Sequence, residues 1–269
     1  MPAFEAVGGM PYWIDLTTSD VRKSARFYSE ILGWEITGDD YRIARVQGLP
    51  VAGFIPQPED GGGFPDTWVT YFLADDIDGQ VAQVKGLGGR VLLEPTEVSL
   101  GRMCVLVDAA GAMFGLIEPA GEDAFIAAGE PGTPVWHELT ATAGFDAAVD
   151  FYHALLDWEL VAVEAGEGFT YTTAMVEGAP FAGIWKAEGA FPPQVPSFWQ
   201  SYLGVLDMDE TVKKVPELGG QIIREPWDSE FGRMCIIADS TGATVTLCEV
   251  DEPAEEDIRE SDPLEGFSL

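Results

Sequence analysis

The chain has 269 residues and a formal net charge of −32 at pH 7, from 46 acidic and 14 basic side chains. This charge repels nucleic acid phosphates and anionic lipid, which excludes nucleic acid binding by phosphate neutralisation, argues against membrane docking and favours neutral or cationic partners. The sequence has no apolar run of about 18 residues and no signal peptide pattern. Its three cysteines lie in apolar segments, so we expect reduced thiols and a cytoplasmic location.

A repeat divides the chain into two similar halves. Residues 13–17 (WIDLT) return as residues 136–140 (WHELT), and residues 101–104 (GRMC) return unchanged as residues 232–235. The order of the matching segments is kept, and their offset grows only from 123 to 131 residues. Self-similarity over such a long period indicates tandem homologous units.

The repeat sets the expected domain boundaries. We predict an N-terminal domain over 10–119, a similar C-terminal domain over 133–250 and an acidic tail over 251–269. The joint over 120–132 is rich in Gly, Ala and acidic residues, and the tail carries eight acidic residues and one Arg. Such compositions bury little apolar surface, so the tail is expected to be solvated and weakly ordered.

Each half alternates between strand and helix patterns. Residues 12–18 alternate in polarity like a strand, and residues 20–32 carry apolar side chains at helical spacing, with Asp20 as the N-cap and Gly33 as the stop. The elements predicted next are strands over 41–46, 51–55 and 68–74, a helix over 77–87, and strands over 91–94, 103–108 and 113–118. The unit is therefore βαβββ, and the chain contains four of these modules.

The motifs of these modules resemble the vicinal oxygen chelate superfamily, which includes glyoxalase I, extradiol dioxygenases and bleomycin- and fosfomycin-resistance proteins. They are a first strand that ends in a polar pair, a helix with Phe-Tyr, a following Leu-Gly-Trp, and Gly-Arg-Met-x-x-x-x-Asp-x-x-Gly-Ala before the last strand. The resemblance covers about residues 10–250. It implies an α+β fold in which four βαβββ modules form two curled mixed β-sheets, with helices packed outside. The layout is most similar to an actinobacterial group labelled glyoxalase-like or hydroxylase-like, some members of which lie beside anthracycline and other antibiotic genes.

The resemblance also implies a divalent metal such as Ni, Fe, Mn or Zn, held by His or Gln from first strands and by Glu from last strands. The resemblance places the first-strand ligand positions on Trp13 and Val69, and the repeat transfers them to Trp136 and Gln200. The last-strand positions fall on Gly115 and Thr246 and near Gly53 and Gly183. Indole, valine and glycine side chains offer no metal donor, so we expect no cofactor. A register shifted by one residue would instead present His137, with Gln200 and Glu249 as weak companion ligands, and would keep a divalent metal open.

Aromatic side chains are expected to line the cup that this fold implies. By strand alternation the predicted lining residues are Trp13, Phe54 and Tyr71 in the N-terminal half and Trp136, Trp185, Gln200 and Tyr202 in the C-terminal half. Phe64, Pro65 and residues 191–193 lie in two long loops that can act as lids. Aromatic walls suit planar ligands through stacking and cationic ligands through cation–π contacts.

Two carboxylates occupy matching positions beyond the tryptophans. Asp15 and Glu138 each follow the tryptophan by two residues and so share its face of the strand. A carboxylate in an aromatic cup can be a general base with a raised pKa, an anchor for a cationic ligand group, or a structural hydrogen-bond acceptor. The sequence leaves these three roles open. Arg102 and Arg233 also recur, and we expect them to form structural ion pairs.

Two functional hypotheses of different classes follow. The first is a metal-independent protein that binds or sequesters a hydrophobic aromatic, antibiotic-like metabolite, neutral or amine-bearing, as an accessory to biosynthesis or self-resistance and with a biosynthetic enzyme as a possible partner. The second is a glyoxalase-like lyase or isomerase, or a hydroxylase, that uses the cup with or without a divalent metal. A third reading is a scaffold without chemistry. The sequence leaves open the ligand, the number of active cups, the pairing of the modules and the choice between monomer and homodimer.

Overall fold

A computed structural model describes residues 3–57, 65–121, 125–164, 169–229 and 232–251. Phe64 of the predicted first lid and residues 252–269 of the predicted tail lie outside these ranges. The helices within them are α1 (Val21–Leu32), α2 (Ile77–Val84), α3 (Phe145–Leu156) and α4 (Met208–Glu217). None of these helices is long and apolar enough to cross a membrane.

The strands of the described residues follow the predicted order in both halves. In the N-terminal half they are β1 (Ala3–Glu5), β2 (Pro11–Thr18), β3 (Glu35–Thr37), β4 (Arg42–Val46), β5 (Leu49–Pro56), β6 (Thr67–Leu73), β7 (Arg90–Val98), β8 (Gly101–Val107) and β9 (Met113–Pro119). In the C-terminal half they are β10 (Phe125–Ala127), β11 (Pro134–Ala141), β12 (Glu159–Glu164), β13 (Thr170–Val176), β14 (Ala179–Lys186), β15 (Phe198–Val205), β16 (Gln221–Ser229), β17 (Gly232–Ala238) and β18 (Thr244–Glu249).

Each half forms its own eight-stranded mixed sheet. The N-terminal order is β3-β4-β5-β2-β6-β9-β8-β7, and the C-terminal order β12-β13-β14-β11-β15-β18-β17-β16 repeats it strand for strand. The first strands of two successive modules, β2 and β6, pair antiparallel at the centre of the sheet. Strand β5 pairs parallel with β2, and β9 pairs parallel with β6. The predicted α+β fold with four modules in two sheets is therefore confirmed, and the two modules of each sheet come from the same half. Strands β1 and β10 form a separate two-stranded antiparallel sheet, and β10 contacts β5.

The four helices of the described ranges cover one face of each sheet, which we call the outer face, and the opposite face is called the inner face. Two cores form where outer faces meet: Leu16 and Phe27 of the first module pack with Ile237 of the fourth, and Phe114 of the second packs with Phe151 of the third. Helix α1 contacts α4, and α2 contacts α3. The modules therefore pair twice, side by side within a sheet and back to back between halves.

Helix α1 shows why the sequence folds this way locally. The Asp20 side chain accepts from the Lys23 backbone N–H, which caps the first turn, and Gly33 ends the helix with a left-handed φ of 68°. Between these ends Phe27, Tyr28 and their apolar neighbours share one buried face. This face holds the helix on the outer side of the sheet and leaves the inner face free for other side chains.

Candidate functional site

Strand alternation brings four polar and aromatic side chains together at the centre of each inner face. In the cross-strand register, Trp13 lies opposite Tyr71 in the first sheet, and Trp136 lies opposite Tyr202 in the second. Each tryptophan shares its face with the carboxylate two residues further on. A tyrosine joins them in each half: Tyr41, just before β4, and Tyr171, in β13. We call Trp13, Asp15, Tyr41 and Tyr71 the N-terminal quartet, and Trp136, Glu138, Tyr171 and Tyr202 the C-terminal quartet.

The N-terminal quartet is a buried hydrogen-bonded cluster around Asp15, whose Oδ1 is the bonded oxygen and whose Oδ2 has no hydrogen-bond partner among the described residues. Asp15 Oδ1 accepts from Trp13 Nε1 at 2.8 Å and from the Tyr41 hydroxyl at 2.7 Å, and Trp13 Nε1 also lies 2.9 Å from the Tyr41 oxygen. Asp15 is 1% exposed, and Tyr71 lies beside it with 4% of its surface exposed. Burial raises the pKa of Asp15 to about 6, although the hydrogen bonds from Tyr41 and Trp13 act in the opposite direction.

The C-terminal quartet has the same plan but a longer carboxylate. The Tyr171 hydroxyl donates to Glu138 Oε2 at 3.0 Å and accepts from Trp136 Nε1 at 3.0 Å, so that the indole acts on the carboxylate through the tyrosine. On the other oxygen, Gln200 Nε2 lies 3.2 Å from Glu138 Oε1. Burial raises the pKa of Glu138 as well, and the hydrogen bonds from Tyr171, Tyr202 and Gln200 limit the rise.

Glycines beside the quartets make room for the tyrosines. A Cβ at Gly53 would collide with the Tyr41 hydroxyl, a Cβ at Gly183 with the Tyr171 hydroxyl, and a Cβ at Gly115 with the Tyr71 ring. Three of the four positions that the resemblance assigns to last-strand metal ligands are therefore glycines that accommodate an aromatic side chain.

Tyr41 and Tyr171 are not among the lining residues predicted from the sequence. Both lie at the start of the short strand that precedes the repeated Ala-Gly pair, where too few residues alternate to show which face the tyrosine occupies. Their equivalent distance from Ala52-Gly53 and from Ala182-Gly183 was the available signal.

The two inner faces differ at the residues around the quartets. Gln200 and Thr246 of the C-terminal half replace Val69 and Gly115 of the N-terminal half. Gln200 Oε1 accepts from Thr246 Oγ1 at 3.0 Å, and Gln200 Nε2 lies 3.2 Å from Thr140 Oγ1, so the amide is held on three sides. The C-terminal inner face is thus the more polar and the less completely closed of the two.

A chain of four aromatic side chains, the aromatic rim, lies beside the C-terminal quartet: Phe169, Trp185, Phe191 and Phe198. Phe169 stacks on Tyr171 with ring centroids 5.6 Å apart and planes 10° apart, and Trp185 follows at 6.4 Å from Phe169. Phe191 joins Trp185 to Phe198 through edge contacts of 6.1 Å and 5.8 Å. Phe169 is 37% exposed, and the other three are partly buried. Phe191 of the predicted second lid therefore lies at the rim, whereas Pro65 of the first is exposed.

The structure does not bring Phe54 into a cup, which corrects the expectation from the sequence. Phe54 is fully buried on the outer face, 5.9 Å from Tyr28 and 6.1 Å from Trp34 between ring centroids. The reason is strand alternation: Gly53 faces inward, so Phe54 faces the helix. In the repeat Phe54 matches Ile184, and Trp185, which does lie on the inner face, matches Ile55.

His137 and Glu249 also lie away from the inner face. His137 Nδ1 lies 2.9 Å from Ser201 Oγ on the face that meets the other sheet, where Ser201 lies 3.1 Å from Thr70, and desolvation lowers the pKa of His137 to about 3. Glu249 accepts from the Met208 backbone N–H at the start of α4. The strand register is thus the one that turns Trp136 inward, and it separates His137 from Gln200.

The residues at the predicted ligand positions do not fit a divalent metal. The inner faces present indole, valine and glycine where a metal enzyme needs imidazole or carboxylate donors, and Gln200 and Thr246 supply only neutral oxygens. Over the described ranges, no group of three or more His, Cys, Asp or Glu residues is placed to hold an ion. Arg102 and Arg233 form surface ion pairs with Asp78 at 2.9 Å and with Asp209 at 2.7 Å, in accordance with the structural role expected for them.

The two eight-stranded sheets and their repeated modules define a tandem glyoxalase-type protein. Residues 13–117 match the glyoxalase-like domain family, and residues 137–247 match the Glyoxalase/Bleomycin resistance protein/Dioxygenase superfamily. The chain belongs to this superfamily.

Curated relatives share nearly the whole length of the chain. The anthracycline biosynthesis protein DnrV of Streptomyces peucetius is 33% identical over 266 residues, which cover 91% of this chain and 94% of DnrV. CFP32 of Mycobacterium tuberculosis, provisionally named a glyoxylase, is 32% identical over 249 residues, 89% of this chain and 94% of CFP32.

Among solved structures, the Mn(II)-bound glyoxalase from Novosphingobium aromaticivorans has a TM-score of 0.61 at 16% identity, over 92% of this chain and 88% of that one. A variant of homoprotocatechuate 2,3-dioxygenase from B. fuscum, in complex with HPCA, has a TM-score of 0.63 at 14% identity, over 92% of this chain and 72% of its own. These structural similarities show a shared fold.

Proposed function

We propose that the protein binds a planar aromatic metabolite on the inner face of its C-terminal half, without a metal. The observation that carries this proposal is the aromatic rim beside a buried carboxylate. A concave apolar surface with a few fixed polar groups at its base is the usual form of a small-molecule site. Stacking on one ring of such a surface contributes about 0.5–1.5 kcal/mol beyond the burial of area.

The N-terminal inner face supports the choice of the C-terminal one. Its quartet is enclosed, with Trp13 at 6% and Tyr71 at 4% exposure, and the positions that match Trp185 and Phe198 hold the smaller Ile55 and Thr67. We therefore assign a structural role to the N-terminal quartet and propose that the ligand binds at the C-terminal quartet. The names of DnrV and DauV, both anthracycline biosynthesis proteins, favour an aromatic ligand of antibiotic type and a role as an accessory to biosynthesis.

Calorimetric titration with planar aromatic compounds, including an anthracycline, tests the proposal. We expect saturable binding that Trp185→Ala weakens about fivefold, since about 1 kcal/mol of stacking is lost. Ile55→Ala, the matching change on the N-terminal inner face, is the control and leaves the affinity unchanged. Equal affinities of Trp185→Ala and the parent, with both folded by circular dichroism, place the ligand elsewhere. Absence of binding throughout the series refutes the proposal.

The raised pKa of Glu138 favours a second candidate, proton transfer in a lyase or isomerase reaction. A carboxylate whose pKa is raised by burial is a stronger base once ionised and can take a proton from carbon. The test is turnover of the adduct between an α-keto aldehyde and a thiol. Turnover that Glu138→Gln abolishes and Asp15→Asn leaves intact would favour the enzyme over the binding protein.

A further inference from the structure

Glu138 is a buried carboxylate with only neutral partners. Its oxygens receive the Tyr171 hydroxyl at 3.0 Å, the Gln200 amide at 3.2 Å and, more weakly, the Thr140 hydroxyl at 3.5 Å. In the part of the chain that the structure describes, no lysine, arginine or histidine forms an ion pair with it. A buried carboxylate without a cationic partner bears a desolvation cost that a ligand cation can offset.

Gln200 lies opposite this carboxylate in the cross-strand register and two residues beyond Phe198 of the rim on the same face of β15. It is partly buried, whereas Glu138 beneath it is 8% exposed, and its amide nitrogen fills the donor position on Glu138 Oε1. The position that matches Gln200 in the N-terminal half is Val69, which is buried and cannot donate. The Glu138 carboxylate thus receives an amide donor whose place a ligand donor can take, whereas the residue opposite Asp15 is a valine, which donates no hydrogen bond.

Asp15, the matching carboxylate of the N-terminal half, is more deeply buried than Glu138. Two short hydrogen bonds reach the same oxygen, at 2.7 Å and 2.8 Å, and only 1% of the residue is exposed. Asp15 and Glu138 thus occupy the same repeat position, but 8% of Glu138 is exposed against 1% of Asp15.

We propose that the C-terminal inner face selects aromatic ligands that carry a protonated amine, whose ammonium group displaces the Gln200 amide from Glu138 Oε1. The inference rests on the proposed function and specifies its ligand class. An ammonium donor forms an ion pair as well as a hydrogen bond with the carboxylate, which the neutral Gln200 amide cannot do, and this added attraction favours the exchange. The net charge of −32 increases the rate of encounter with cations at low salt.

Two probes with the same ring system test this inference by calorimetry at pH 7: 9-anthracenemethylamine, which is protonated, and 9-anthracenemethanol, which is neutral. In the parent protein we expect the amine to bind at least tenfold more tightly than the alcohol, which corresponds to about 1.4 kcal/mol. In Glu138→Gln the ratio of the two affinities is expected to fall below about three, which corresponds to about 0.7 kcal/mol.

Asp15→Asn is the matched control, because it changes the net charge by the same single unit and lies at the same repeat position. It is expected to keep the parent ratio, which separates the local carboxylate from the long-range field of the chain. Gln200→Ala removes the competing amide and is expected to increase the ratio. Circular dichroism establishes that each variant is folded.

The outcomes separate the inference from the proposed function. If neither probe nor any other planar aromatic binds, the proposed function fails and the inference with it. If both probes bind with equal affinity, the proposed function stands and the inference is wrong. A tenfold ratio that persists in Glu138→Gln, or that disappears in Gln200→Ala, also overturns it.

Discussion

Tyr152 and Asp108 join the two halves of the protein. The Tyr152 hydroxyl donates to Asp108 Oδ2 at 2.9 Å in the buried contact between the second and third modules. Asp108 Oδ1 accepts from the Ala110 and Ala112 backbone N–H groups and so shapes the turn before β9. The matching residues Asp239 and Tyr28 form the same link between the fourth and first modules. One turn in each half is thus tied to a helix of the other.

Replacement of Tyr152 by phenylalanine is expected to destabilise the fold. The change removes a donor from buried Asp108 and an acceptor from Trp199 Nε1, which lies 2.6 Å from the tyrosine oxygen. A buried polar group left without its partner costs about 1–3 kcal/mol. Urea unfolding measures the loss, and Tyr28→Phe at the matching position is expected to show a loss of similar size. An unchanged free energy of unfolding in both variants would contradict the role of these links.

The pH dependence of stability is expected to carry a contribution from Asp15. Its folded-state pKa of about 6 lies above the ordinary value of 3.8, so the fold favours the neutral carboxyl. The corresponding stability is present below about pH 4 and is lost as pH rises through 6, by about 3 kcal/mol for a shift of this size. The side chains that face Asp15 are neutral in this range, since the tyrosines Tyr41 and Tyr71 have raised pKa values.

Comparison with Asp15→Asn isolates this contribution. The amide keeps the shape but does not titrate, so the free energy of unfolding of the parent minus that of the variant is expected to decrease between pH 4 and pH 7. Asp108 also has a pKa raised to about 6 by burial and contributes the same trend to both proteins, which cancels in the difference. A difference that is constant with pH would show that folding does not shift the pKa of Asp15.

The sequence predicted the modules, and its errors have identifiable physical causes. The repeat and strand alternation placed Trp13, Trp136 and both carboxylates on the inner faces, because the side chains of the first strands, β2 and β11, alternate over eight residues each. The prediction that Phe54 lines the cup was wrong, because the large aromatic residue of β5 was assigned to the inner face, which Gly53 occupies instead. In this strand the inner face is better identified by the residue that must be small, because a Cβ at Gly53 would collide with the side chains of the quartet.

The contacts between modules could not be predicted from local pattern. Whether modules pair within a half or between halves depends on three-dimensional packing, and the structure shows both, one in the sheets and one between outer faces. The aromatic rim likewise combines two strand residues with Phe169, just before β13, and with Phe191 of a loop. Strand alternation fixes the first two, but loop placement depends on closure and packing that sequence spacing does not reveal.

The glycines beside the quartets are expected to be intolerant of alanine. A Cβ at Gly53 or Gly183 collides with the hydroxyl of Tyr41 or Tyr171, and both tyrosines are held by a buried carboxylate. Overpacking of this kind costs about 1–3 kcal/mol. Gly86→Ala is the control, since its nearest neighbour lies 3.4 Å away and the substitution is expected to be nearly neutral. Thermal unfolding of the three variants checks the order, and a Gly53→Ala protein as stable as Gly86→Ala would contradict it.

Transition metal ions are expected to raise the thermal midpoint of the protein no more than Mg²⁺ does. A metal bound specifically to the folded state at 100 times its dissociation constant would stabilise that state by about 2.7 kcal/mol. The indoles of Trp13 and Trp136 offer no such site, so neither a chelator nor added Mn²⁺ should shift the thermal midpoint beyond the shift that Mg²⁺ causes at equal concentration. Mg²⁺ is the necessary control because a chain with a net charge of −32 attracts any divalent cation and gains stability from screening alone. A shift by Mn²⁺, Ni²⁺, Fe²⁺ or Zn²⁺ that saturates at one ion per chain, exceeds that of Mg²⁺ and is reversed by chelator would show a specific site and would favour the enzyme over the binding protein.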